Sequence, residues 1–117
     1  MATLKCGNIY SKIPSVKDKE ISHTLAKSKK LKIERIVSRG QVTEKDKWLK
    51  EPYDEWVIVL KGAGSLRFCQ GNRLIKLKAG DHIFIPKNTS HRVEWTSTRE
   101  KTIWLAVKNQ GGLCEKS

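Results

Sequence analysis

Three histidines, three cysteines and twelve carboxylates are the side chains of this 117-residue sequence with the means to hold a metal, move a proton or attack an electrophile. Their spacing narrows the choice. His91 ends the stretch GDHIFIPKNTSH, residues 80–91, where a strand-like run closes at a proline and a polar turn delivers the chain to the histidine. An imidazole placed there can ligate a metal, exchange a proton near neutral pH, or serve the fold alone. His82 shares the parity of Phe84, opposite Ile83 and Ile85, and is expected to have a structural or surface role, while His23, which lies off the Ile21/Leu25 face of its segment, is expected at the surface. Cys6, Cys69 and Cys114 are odd in number and show no CxxC spacing, which signals reduced thiols rather than a disulfide framework or a zinc knuckle. Cys69, inside a strand-like run, is expected to be the most buried of them. Gly62-Ala-Gly64 and Gly111-Gly112 open no helix and are therefore turn and tail glycines rather than phosphate cradles.

The elements that would position such residues are mostly strands. LKIERIVSRG alternates and stops at a glycine, with Leu31, Ile33 and Arg35 on one face. EWVIVLKGAG is apolar on both faces and is expected to be covered on both sides. GSLRFCQGNRLIKLKAG reads as a hairpin turning at Gln70-Gly71-Asn72, followed by DHIFIP, HRVEW and KTIWLAV. Ahead of them, Ser15 with Asp18 three residues on resembles a capping box, and Ile21 and Leu25 stand one turn apart, so one short helix is expected over residues 16–28. Residues 41–54 are polar and irregular, a long loop for so small a chain. About seven strands and one helix predict an all-β sandwich or barrel of a single domain, with residues 1–30 as an N-terminal extension, 31–108 as the barrel and 109–117 as a tail.

Composition adds boundaries. No apolar run approaches the roughly 18 residues of a membrane span, and MATLKCGNIYSK lacks the apolar region of a secretory signal, so a cytoplasmic location without membrane association is expected. The net charge is +12, yet 18 lysines outnumber 6 arginines and no aromatic platform accompanies them. Attraction to nucleic acid is expected to be nonspecific, and steering is expected to favour a small anionic metabolite.

Gly80, Pro86, Asn88, His91 and Trp95 stand at the spacing G-x5-P-x-G-x2-H-x3-N and resemble the second motif of the cupin family, with Asn88 in place of a glycine and Trp95 in place of an asparagine. Glu55 and Gly62 resemble the end of the first cupin motif. WVIVLKG, GDHIFIP and HRVEWTSTREKTIWLAV resemble small single-domain cupins whose barrel follows a short N-terminal helix. The resemblance implies a double-stranded β-helix, or jelly-roll barrel, and a site made by Glu55 and His91, with Glu51 and Trp48 on the loop and Trp95 as an apolar wall.

The first motif departs from the family pattern. Its two histidines would fall at positions 48 and 50 or 49 and 51, where this chain has Trp48, Leu49, Lys50 and Glu51. Family members typically offer a metal three histidines and a glutamate; here Glu51, Glu55 and His91 are what remains for a divalent ion such as Mn, Zn, Fe or Ni. Parity places Val57 and Val59 with Glu55, and Val93 and Trp95 with His91, giving a largely apolar pocket with one acid and one base. A weak metal site, a metal-free acid/base or ligand pocket, a non-catalytic binding or sensor site, and a remnant without chemistry all fit these residues. Trp56, Ile58 and Leu60 lie on the opposite face of their strand, covered either by the N-terminal segment or by a second copy in a homodimer, and Trp104 is a candidate for the same surface.

Overall fold

The computed structural model describes residues 3–111. Eight strands account for its regular structure: β1 (Ile21–Lys27), β2 (Leu31–Ser38), β3 (Asp54–Lys61), β4 (Ala63–Phe68), β5 (Arg73–Lys78), β6 (His82–Ile85), β7 (His91–Thr96) and β8 (Thr102–Asn109). They form two antiparallel sheets, ordered β1-β2-β8-β3-β6 and β5-β4-β7. The expected all-β barrel is present. The hairpin turns where expected, through a short 3-10 turn at Gln70–Asn72.

The expected helix over 16–28 is not. Residues 21–27 form β1, pairing Ile21 with Val37 and His23 with Arg35 on β2. Two apolar residues one turn apart make too thin a stripe to bury, whereas the edge of β2 offers a full ladder of backbone partners. The register shifts between Thr24 and Ala26, and Leu25, the second residue of that stripe, is half-exposed.

Ahead of β1, the N-terminal segment is fastened to the outside of the large sheet by Arg35, whose Nη1 donates to the carbonyls of Ile9 (3.0 Å) and Ser11 (2.8 Å). The Arg35 Nη2 lies 3.2 Å from His23 Nδ1, so His23, expected at the surface, is half-buried against that guanidinium. The other side of the sheet faces the core. Across β3 and β8, Glu55 pairs with Lys108, Val57 with Ala106 and Val59 with Trp104. Val57, Val59, Trp104 and Ala106 join Leu66, Leu77 and Ile85 in the hydrophobic core. Trp104 is thus a core residue, only 5% exposed, and not part of the outer surface suggested by its parity with Ala106; both turn inward. Its Nε1 donates to Ser38 Oγ at 3.0 Å, which satisfies the one polar atom that burial would otherwise strand. Gly64 makes room for the indole: a Cβ there would stand 2.6 Å from two of its ring carbons.

Two sequence expectations about the surface change as well. Cys69 is exposed because β4 ends one residue before it and the turn begins there. Trp56, Ile58 and Leu60 do lie on the face opposite Glu55 and are half-buried, with the Trp56 and His82 rings 5.6 Å apart and His82 itself exposed. Cys114 and most of the tail lie outside the described residues. Among the described residues, no helix is long and apolar enough to cross a membrane.

Candidate active site in the barrel lumen

A cavity of about 230 Å³ opens between the two sheets. Its floor is apolar, with Val57, Leu66, Ile85 and Trp104, and its polar wall carries Glu20, Glu51, Tyr53, Glu55, His91 and Lys108. The volume lies below the roughly 300–1,000 Å³ typical of sites for drug-sized ligands, so it suits a small metabolite.

His91, the first residue of β7, is 5% exposed. Three local features hold it. Asn88 turns the preceding loop with φ of 60°, the left-handed conformation for which asparagine is an adequate substitute for glycine. The loop is clamped by the Asn88 N–H donating to the Glu51 carbonyl (2.7 Å), and Leu49 and His91 exchange backbone hydrogen bonds of 2.7 and 2.9 Å. The ring packs against Phe68 with centroids 5.8 Å apart. His91 Nδ1 lies 2.9 Å from the Thr89 carbonyl. A carbonyl only accepts, so Nδ1 carries a proton, and in the neutral ring the lone pair is on Nε2.

Glu55, near the start of β3, sits beside Ile85 on β6 and Lys108 on β8. Burial pushes its carboxyl above the ordinary carboxylate range, against the opposing pull of Lys108 and His91. Glu20 is also pushed up by burial. Glu34, facing inward from β2 and 3% exposed, would suffer the same penalty but is held below the usual range by hydrogen bonds and charge from Lys108 and Lys32. Lys108 Nζ donates to Glu34 Oε1 and lies 5.8 Å from the Tyr53 ring centroid; Lys32 Nζ is 3.3 Å from Glu34 Oε2. These partners hold the Lys108 ammonium above its ordinary value despite the opposing effect of burial.

Of the residues expected at the site, the structure brings Glu51, Glu55 and His91 to one cavity and leaves the two tryptophans outside. Trp95 is 49% exposed because the β4–β7 register shifts: Ser65 pairs with Trp95 but Leu66 with Val93. The bulge reverses parity after Val93, and Thr96 takes the inward place instead. Trp48 is exposed by the Leu49–His91 bridge, which turns Leu49 to the lumen and sets Trp48 within 6.0 Å of the Arg92 guanidinium. The metal expectation fares no better on geometry. Among the described residues no group of three or more His, Cys, Asp or Glu side chains could hold a metal ion, and Glu55 lies in the field of Lys108, its cross-strand neighbour in the same cavity. The donor set does not fit a divalent ion.

Sequence reasoning missed Lys108, Tyr53, Glu34, Glu20 and Leu49. Tyr53 and Lys108 were accessible through parity, with Glu55 and Ala106 respectively, and Glu34 as an acid inside an apolar strand. Glu20 carried no signal, since it lies inside the segment, residues 16–28, read as a helix.

Residues 37–108 match the model of a family described as the cupin domain. A solved structure from Ralstonia eutropha JMP134, described as a "putative mannose-6-phosphate isomerase", superposes with a TM-score of 0.86 and 37% identity, covering 90% of this chain and 97% of that one. A cupin superfamily protein from Desulfitobacterium hafniense DCB-2 gives a TM-score of 0.68 at 17% identity, with 83% of each chain covered. An RmlC-like cupin from Desulfovibrio desulfuricans gives 0.71 at 16% identity, covering 95% of this chain and all of that one. Comparison with the curated proteins gives no match.

Proposed function

The chain belongs to the cupin family, and from that premise we propose that its lumen binds a small polyhydroxylated carbonyl compound and moves a proton on it, with His91 as base and Glu55 as acid. The observation that carries this reading is the pairing of two unlike groups in one small cavity. One is an imidazole whose Nε2 lone pair is fixed by the Thr89 carbonyl; the other is a carboxyl kept protonated to higher pH by burial. In such a reaction Nε2 removes the proton from the carbon beside the carbonyl while the Glu55 carboxyl protonates the carbonyl oxygen, giving an enediol. Nε2 then delivers that proton to the former carbonyl carbon while the Glu55 carboxylate takes the hydroxyl proton from the oxygen on the carbon first deprotonated, which becomes the new carbonyl; this completes an aldose–ketose exchange and restores both groups.

The wall chemistry selects the ligand. Glu20, Glu51 and Glu55 offer acceptors for hydroxyl groups, and Lys108 offers a donor. A free anion inside the lumen would meet these carboxylates, so the anionic ligand suggested by the +12 charge suits the exterior better than the cavity. A sugar phosphate, the class named for the Ralstonia protein, combines both halves: an uncharged polyhydroxy carbonyl end for the lumen and an anion for the lysine-rich surface. No step in this scheme passes through a metal. The half-buried outer face of Trp56, Ile58 and Leu60 supports the homodimer expected from the sequence, to be read from the mass in solution by light scattering.

Ligand-observed NMR with chelator-treated protein and D-mannose tests the reading. Saturation transfer to the sugar is expected with the wild type and is expected to vanish in His91→Ala. Transfer unchanged in that variant would place any binding outside the lumen.

A further inference from the structure

Lys108 has no part in the proton transfer proposed above, yet it is the most closely held cation in the lumen. On β8 it lies between Lys32 of β2 and Glu55 of β3 in one cross-strand row. Its ammonium donates to Glu34, itself 3% exposed, and stands over the Tyr53 ring at 5.8 Å. A carboxylate as deep as Glu34 requires a charged partner, and Lys108 reaches it from within the cavity while Lys32 reaches its other oxygen from a half-exposed position at 3.3 Å. Glu34, bonded to the ammonium, and Glu55, its cross-strand neighbour, are therefore both placed beside one positive charge.

We infer that Lys108, tethered by Glu34, takes the place of the metal ion that the family resemblance implied, so that the lumen carries its positive charge covalently and excludes a divalent cation. The inference rests on the lumen being the ligand site, but it is decided without a sugar. A divalent ion held by Glu55 and His91 would meet the like charge of Lys108 lining the same cavity, and to use Glu34 it would have to take that carboxylate from its existing partner.

The experiment is a Mn²⁺ titration of chelator-treated protein, read by calorimetry and by water-proton relaxation. Wild type and Lys108→Arg should take up no Mn²⁺ in the lumen. Lys108→Met, with its fold checked by circular dichroism, should gain Mn²⁺ affinity by at least about tenfold, as expected for removing a like charge beside the ion, and the gain should disappear when Glu55→Gln is added. One Mn²⁺ bound by the wild type and lost in His91→Ala would overturn the inference, as would a folded Lys108→Met that binds no better than the wild type. Should Lys108→Met fail to fold, Lys108→Gln replaces it with the same two outcomes. Because no sugar is used, a failure of the polyol reading leaves this result standing, and the reverse holds as well.

Discussion

The two ends of the lumen are built from the same strands and behave as different materials. At the floor, β3 and β8 face each other through Val57/Ala106 and Val59/Trp104; one step toward the mouth the same pair of strands presents Glu55 and Lys108. Polar atoms at the floor are neutral and individually satisfied: Trp104 by Ser38, Thr102 by Ala63, and Thr96 by the Gln41 carbonyl at 2.8 Å. At the mouth they are ionisable and mutually dependent, Glu34 with Lys108 and Lys32, Glu55 with Lys108 and His91. Close packing fixes the backbone on which the reactive groups stand, and the reactive groups are placed where the same backbone can still tolerate charge.

Five substitutions break or sharpen that contrast. The largest effect belongs to the floor: Trp104→Ala removes a buried indole and its bond to Ser38 and should cost about 3–5 kcal/mol of stability, read from the urea midpoint. Next comes the mouth. Lys108→Met strips the buried Glu34 of one partner and should cost about 3 kcal/mol, less than a full orphan because Lys32 remains. Adding Glu34→Gln should recover most of that loss, since the double variant buries no carboxylate at that position; a double-mutant cycle measures the coupling.

Glu55→Gln should act in the opposite direction. The folded carboxyl titrates above the unfolded one, so below the ordinary value of 4.5 both states are protonated and the wild type bears no penalty. As pH rises through the window up to the raised folded value, the unfolded chain ionises first and the wild type loses stability relative to glutamine. The variant should therefore be more stable than the wild type at neutral pH, with the difference vanishing below the ordinary value of 4.5. By the same sign, any turnover that needs Glu55 as acid should decline as pH rises through that folded value. The smallest effect is expected outside the lumen: Trp95→Ser, on an exposed face, should shift stability by no more than about 0.5 kcal/mol and leave ligand binding unchanged.

Legibility in the sequence followed the same division. The strands were readable because their apolar alternation and their glycine and proline punctuation are local signals, and GDHIFIPKNTSH placed His91 correctly through its spacing and the left-handed Asn88. Parity counting then failed wherever the ladder slips. The bulge after Val93 carried Trp95 outward and Thr96 inward, which no count along β7 alone could reveal. The isolated bridge at Leu49 did the same to Trp48. Residues 16–28 were misread because a capping pattern and two apolar residues describe a helix that had too little to bury, while the β2 edge that captured the segment lies ten residues further along. Lys108 and Glu34, 74 positions apart, meet only through the β2–β8 ladder, and that non-local pairing is what the motif-level reading of the site lacked.

The central claim is that the mouth performs metal-free proton transfer with His91 and Glu55. Its most direct test follows, by proton NMR in D₂O, exchange of the C2 hydrogen of D-mannose 6-phosphate in the presence of protein freed of metal and held in excess chelator. The account predicts exchange that persists in chelator and falls by at least about 100-fold in both Glu55→Gln and His91→Ala. Exchange that stops in chelator and returns with Mn²⁺, or that is indifferent to either substitution, would contradict it.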